Sequence, residues 1–125
     1  MIRYRYATHR APPAPFVNVT LRCAATGTTA TVAAQLDTGA DRTVLPGNVV
    51  EALGLVEDGR MQFQGFAGAI VELPLFLVEL RIENLPELAI RAVLGDAEPH
   101  VLLGRDVLNG HRLLLDGPGL MLDSG

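Results

Sequence analysis

Asp37 is the first residue whose setting could do chemistry. It lies in "AQLDTGADRTVLP" (34–46), after a small and apolar approach, and Thr38 and Gly39 follow it at once. A carboxylate placed directly behind an apolar strand is partly desolvated, which suits acid–base work. Thr38 supplies a hydroxyl that can fasten the loop by hydrogen bonding, and Gly39 lets backbone N–H groups come close to the carboxylate. A simple turn would use the same three residues, because Asp, Thr and Gly all favour turns. The longer pattern, apolar-Asp-Thr-Gly-Ala-Asp-x-Thr-Val-Leu, carries more than a turn requires.

Other chemistries lack their parts. The chain has no GxSxG, HExxH or GxxxxGK[ST] motif and no paired cysteine ligands. His9, His100 and His111 are too scattered to form a local metal site, and surface or packing roles are expected of them. Glu79, Glu83, Glu87 and Glu98 read as solvated positions on strands and loops. No metal and no cofactor is expected.

The elements that must hold Asp37 are mostly strands. "FVNVTLRCA" (16–24) alternates Val17, Val19 and Leu21 with Phe16, Asn18 and Thr20, and "TTATVAAQL" (28–36) is small and β-branched, so the two predict a hairpin leading straight to Asp37. "PGNVVEALGL" (46–55) has Val49, Val50 and Leu53 at helical spacing, with Asn48 as the cap and Gly54 as the stop. "RMQFQGFAGAIVEL" (60–73) predicts a hairpin with a mobile tip at Gly65-Phe66-Ala67-Gly68. Pro74 inside the apolar run from Ile70 to Ile82 implies two strands there, or one bulged edge strand. Strands over 88–95 and 100–104, a helical turn over 105–110 and a terminal hairpin over 111–123 complete an all-β, barrel-like domain with one or two short helices.

Length and composition fit that outline. With 125 residues, 49% of them hydrophobic, the chain can bury one core but not two. "APPAP" (11–15) is stiff and cannot enter a sheet interior, so it divides an N-terminal arm (1–15) from a domain over 16–125. All ten basic residues are arginines, and the arm with the first strand (1–22) holds four of them and no acid. The remainder is strongly acidic and would repel phosphates, so nucleic acid is not an expected partner. The longest apolar segment, "LPLFLVEL" (73–80), is too short to span a bilayer, and the first residues carry no apolar core of a secretion signal, so no membrane association is expected. Cys23 is the only cysteine and cannot form an internal disulfide, which points to a cytoplasmic protein with a buried, inert thiol.

"LDTGADRTVLP" resembles the active-site loop of the retropepsin-like aspartic proteases, the single-lobed relatives of pepsin. "VLLGRDVL" (101–108) resembles that family's apolar-Gly-Arg-Asp/Asn-apolar segment near the C-terminus, and "QGFAGAIV" (64–71) its glycine-rich flap. The resemblance implies a closed-barrel acid-protease lobe and an endopeptidase in which two copies of Asp37 meet across the axis of a homodimer. Two such carboxylates would share a proton and activate a water against the peptide carbonyl, with no covalent intermediate.

Further roles are implied position by position. Thr38 would brace the partner's loop, Gly39 would contact substrate backbone, and Ala40 and Asp41 would line the cleft. Asp41 and Arg105 would form a structural ion pair, and Gly65, Phe66, Ala67 and Gly68 would close over an extended polypeptide. The second triplet, Asp123-Ser124-Gly125, is read as a polar terminus rather than a second catalytic acid. Two departures stand out: Ala67 and Ala69 replace expected flap glycines, and a terminal hairpin and an arginine-rich arm replace the short interleaving termini of retroviral members. They motivate the alternative of a non-catalytic dimeric module that binds extended peptide on the same fold.

Overall fold

In the computed structural model, residues 2–64 and 67–124 are described. Ten strands and two short helices follow in the order β1 (Arg3–Arg5), β2 (Phe16–Arg22), β3 (Thr29–Leu36), β4 (Val44–Leu45), α1 (Gly47–Leu53), β5 (Glu57–Gln64), β6 (Ile70–Ile82), β7 (Leu88–Leu94), β8 (Val101–Leu103), α2 (Arg105–Leu108), β9 (Leu113–Asp116) and β10 (Met121–Ser124). The main sheet has the order β2-β3-β8-β4-β7-β6-β5, and a further β2–β6 pairing closes its first six strands into a barrel, with β5 attached outside. The all-β, barrel-like fold expected from the sequence is therefore the one observed.

Alternation decides which side chains fill the barrel. On β2, Val17, Val19 and Leu21 point inward and are buried, and Asn18 and Thr20 are more exposed. Val78 and Leu80 of β6, Val101 and Leu103 of β8, and Leu45 of β4 meet them in one cluster. Burying each such side chain contributes about 1.5–3 kcal/mol, so this cluster dominates the stability of the lobe. Phe16 packs edge-on to His100, and His9 sits against both rings at centroid distances of 5.6 and 5.9 Å, so these two histidines pack with an aromatic side chain.

Two local expectations need correction. Helix α1 starts one residue before Asn48, and no side chain caps it. Pro46 holds the cap position in an extended conformation, and its carbonyl receives the N–H groups of Val49 and Val50. Gly54 does end the helix, at φ +65°, where a left-handed conformation favours glycine. Residues 70–82 form one continuous strand with partners on both sides, neither two strands nor a sheet edge. Pro74 is accommodated because its β7 ladder begins only at Leu75, while on the other side β5 is irregular between Glu57 and Arg60, the residue opposite Pro74. Gly59, at φ +100°, forms that irregularity.

The N-terminal segment is tied to the body. Strand β1 pairs antiparallel with β10, which pairs with β9, giving a second, three-stranded sheet. Ile2, Tyr4 and Tyr6 pack against the core, and Ala7 and Ala14 bridge the segment that carries the prolines. Asp123, on β10, faces Arg3 in an ion pair at 2.7 Å, and the Ser124 hydroxyl accepts the Ile2 N–H at 2.8 Å, so these two residues serve the sheet. Among the described residues no helix is long and apolar enough to cross a membrane.

Candidate active site

The end of β3 delivers Asp37 to the barrel rim. Its N–H donates to the Leu103 carbonyl at 2.9 Å, which continues the parallel β3–β8 ladder by one residue and fixes where the strand stops. The chain then turns: Gly39 N–H donates to the Asp37 carboxylate at 3.1 Å, and Ala40 N–H donates to the Asp37 carbonyl at 3.2 Å. A Cβ on Gly39 would lie 3.4 Å from the same carboxylate oxygen, so glycine leaves that oxygen accessible. Asp37 is half-buried, whereas Thr38 and Gly39 are exposed. Among the described residues, the Asp37 carboxylate has no hydrogen-bonded acid or histidine beside it, and the Thr38 hydroxyl has no partner.

Helix α2 carries the loop from below. Arg105 N–H donates to the Ala40 carbonyl at 2.9 Å, its Nη1 donates to the Thr38 carbonyl at 2.7 Å, and its Nη2 meets the Asp41 carboxylate. One planar guanidinium thus spans two points of the loop, which a point charge could not do. Asp106 secures the next residues. Its carboxylate accepts the Thr43 N–H at 2.9 and 3.0 Å and the Thr43 hydroxyl at 2.8 Å, and that hydroxyl in turn accepts the Gly104 N–H at 3.2 Å. Thr43 is completely buried, so these bonds are shielded from water.

Gly104 is required by contact rather than by backbone angle. A Cβ there would stand 2.5 Å from the Arg42 carbonyl carbon and 2.6 Å from its oxygen. Sequence reasoning alone does not single out Thr43, Gly104 and Asp106 as site residues. Their signal is that they fall inside the two quoted segments, "LDTGADRTVLP" and "VLLGRDVL", where the residue pattern attaches no role to them.

A cleft of about 580 Å³ opens beside the loop. Gly39, Ala40 and Asp41 line one wall, and Phe63, Val71 and Leu73 of the β5–β6 hairpin line another. Its size suits a ligand side chain or short peptide segment. Within the hairpin tip, Ala67 and Gly68 are exposed and Gly68 adopts φ +80°. Gly65 and Phe66, named with them from the sequence, lie outside the described residues. Among the described residues no group of three or more His, Cys, Asp or Glu is placed to hold a metal.

The comparisons with known proteins agree with the fold. The sequence model of a family described as gag-polyprotein putative aspartyl protease matches residues 24–110. No curated protein matches the chain significantly. Among solved structures, a retropepsin-like aspartic protease from Rickettsia conorii superposes with a TM-score of 0.65, over 97% of this chain and 86% of that one, at 15% identity. An EIAV protease complexed with the inhibitor HBY-793 gives 0.59, over 82% and 93% of the two chains, at 27% identity. The retroviral protease-like domain of Ddi1 from Leishmania major gives 0.58, over 89% and 87%, at 18% identity.

Proposed function

The chain belongs to the gag-polyprotein aspartyl protease family, and from that premise we propose that it is an aspartic endopeptidase of the retropepsin type, active as a homodimer. The observation that carries this is the Asp37 loop: a half-buried carboxylate at a barrel rim, bordered by an exposed Thr38 and Gly39 and braced from α2 by Arg105. One chain provides only one such carboxylate, so the catalytic pair forms when a second copy brings its own Asp37 to the two-fold axis.

Asp37 of each copy is the catalytic residue. Two carboxylates brought together at such an axis cannot both stay charged cheaply, so they hold one proton between them. The ionised one takes a proton from the bound water as it attacks the peptide carbonyl, and the protonated one donates to the carbonyl oxygen. Thr38 uses its hydroxyl to brace the partner's loop. Gly39 contacts the substrate backbone, Ala40 and Asp41 line the cleft, and residues 65–68 close over an extended polypeptide to exclude water. The chemistry calls on no cofactor and no metal, and the lone buried thiol of Cys23 fits a reducing, cytoplasmic setting.

The test is Asp37→Asn. Asparagine keeps an acceptor for the Gly39 N–H, so the variant should fold and associate like the parent while peptide cleavage disappears across pH 3 to 8. Undiminished cleavage by the variant would overturn the assignment. Peptide binding without turnover by both proteins would instead identify a non-catalytic peptide-binding module.

A further inference from the structure

We propose that a second copy docks through the free edge of β9, which pairs antiparallel with its own counterpart about Leu114. This rests on the homodimer proposed above, whose second Asp37 must come from another chain, and it names the surface that brings that chain in.

The three-stranded sheet is completed within one chain, because β10 lies between β1 and β9. The N-terminal strand is therefore already occupied and cannot be exchanged without breaking this sheet. Two edges remain. Strand β1 carries Arg3 and Arg5, and self-pairing there would set arginines against arginines; Tyr4 also ties this strand to Glu83 of the main body. Strand β9 is different. Leu114 is 61% exposed and Leu115 48% exposed, on an edge with no other strand partner among the described residues. An exposed apolar edge with unpaired N–H and C=O groups is a template for another strand.

The sequence of that edge is self-complementary. Arg112-Leu113-Leu114-Leu115-Asp116 has an apolar centre and opposite charges at equal distances on either side. An antiparallel pair related by a two-fold axis through Leu114 sets Leu114 against its own copy and Leu113 against Leu115. It also sets Arg112 against Asp116 of the other chain, twice. These pairs share faces as a sheet requires, since 112, 114 and 116 alternate to one side and 113 and 115 to the other. Arg112 makes no ion pair among the described residues and is exposed, as is Asp116. A shift of one residue would lose both ion pairs and oppose the faces, so the register is fixed by pattern as well as by charge.

The strand is linked to the site. Helix α2, which holds the Asp37 loop, leads through a short turn into β9, and His111 N–H donates to the Leu108 carbonyl at 3.1 Å within that turn. A four-residue edge buries far less than the roughly 1,200 Å² of a stable interface, so the edge sets register while the exposed Thr38 loops supply further contact.

Charge exchange tests this. Arg112→Asp and Asp116→Arg should each lower dimer affinity at least tenfold, read as mass in solution by light scattering across a dilution series, with a matching loss of cleavage. Asp116 also accepts the Gly119 N–H at 3.0 Å, so Arg112→Asp is the cleaner single change. The first variant carries acids at both ends of β9 and the second carries arginines at both ends. Mixing them in equal amounts therefore sets two acids of one chain against two arginines of the other, and should restore both dimer mass and cleavage. That rescue cannot come from misfolded chains. Persistence of the dimer in both variants, or a mixture that stays monomeric while the parent dimerises, would overturn the β9 contact and leave the homodimer intact. Efficient cleavage by parent chains that remain monomeric would overturn the homodimer itself. Because mass is read independently of turnover, a dimer that restores by charge exchange yet never cleaves peptide would sustain the β9 contact while removing the protease assignment.

Discussion

The buried hydroxyl of Thr43 is caught between Gly104 and Asp106: it accepts the amide of the first at 3.2 Å and donates to the carboxylate of the second at 2.8 Å. The segment after the Asp37 turn is therefore bolted to the start of α2, and the position of Asp37 follows from that bolt as much as from β3. Removing the carboxylate in Asp106→Ala leaves the Thr43 amide and hydroxyl buried without an acceptor. Each orphaned group costs about 1–3 kcal/mol. The variant should lose about 3 kcal/mol in urea unfolding and about 10 °C in thermal midpoint, and Asp106→Asn, which keeps one acceptor oxygen, should lose less. A midpoint for Asp106→Ala within about 2 °C of the parent would show that the bolt bears little.

Gly104 should tolerate no side chain. The atoms that a Cβ would strike belong to the Arg42 backbone, 2.5 and 2.6 Å away, and backbone cannot swing aside as a side-chain tip can. Gly104→Ala is expected to destabilise by about 1–3 kcal/mol and to loosen the loop above it. Gly27, with nothing within 4 Å of its Cβ position, provides a control in which packing is not at issue and only the positive φ of 76° opposes alanine. Equal stability of Gly104→Ala and the parent in denaturant titration would remove the close approach from the account.

What can be read from sequence is local. Asp37, Thr38 and Gly39 are contiguous, and their chemistry shows in three letters. Val17, Val19 and Leu21 alternate with Asn18 and Thr20, which marks the inward face of β2. Arg105 needs family resemblance to be set beside Asp41, because nothing in its own neighbourhood marks a partner 64 residues away. Thr43 and Asp106 lie 63 residues apart, each inside a quoted motif, but nothing local pairs them, since each type is also an ordinary turn or helix-start residue. The pairing of β1 with β10 joins the two ends of the chain, a closure that local periodicity cannot encode. Asn48 looks like a helix cap by type, but Pro46 has already set the chain direction two residues earlier.

Tyr4 gives a pH signature for the attachment of β1. Partial burial, followed by a hydrogen bond to the Glu83 carboxylate, pushes its phenol up from the ordinary value near 10 to about 12. The folded state thus favours the neutral phenol. The stabilisation from this group is fully present below pH 10 and is lost as pH rises toward 12. An ultraviolet absorbance titration should show a late-ionising tyrosine that Tyr4→Phe removes. The parent should also lose protection of β1 amides to hydrogen exchange between pH 10 and 12, after correction for intrinsic rates. A titration that shows no late-ionising phenol would mean that Tyr4 does not hold Glu83 in solution.

On the proposed peptidase function, Arg105 should act on turnover more than on stability. The Arg105–Asp41 pair is open to solvent, with side-chain exposures of 43% and 78%, and exposed pairs contribute only about 0–1 kcal/mol. Its geometry does more than its charge, because one guanidinium joins the Thr38 carbonyl to the Asp41 carboxylate on either side of Gly39. Arg105→Lys keeps the charge but offers one ammonium in place of a fork, so one of the two contacts must lapse. The Thr43–Asp106 bolt remains, and the variant should unfold within about 1 kcal/mol of the parent. A catalytic loop displaced by as little as about 1 Å can lose roughly a hundredfold in rate, so kcat is expected to fall at least tenfold with KM little changed. A variant with parental kcat would show that the loop holds its geometry without Arg105, whereas a large rise in KM alone would place the effect in substrate binding through Asp41 rather than in the setting of Asp37.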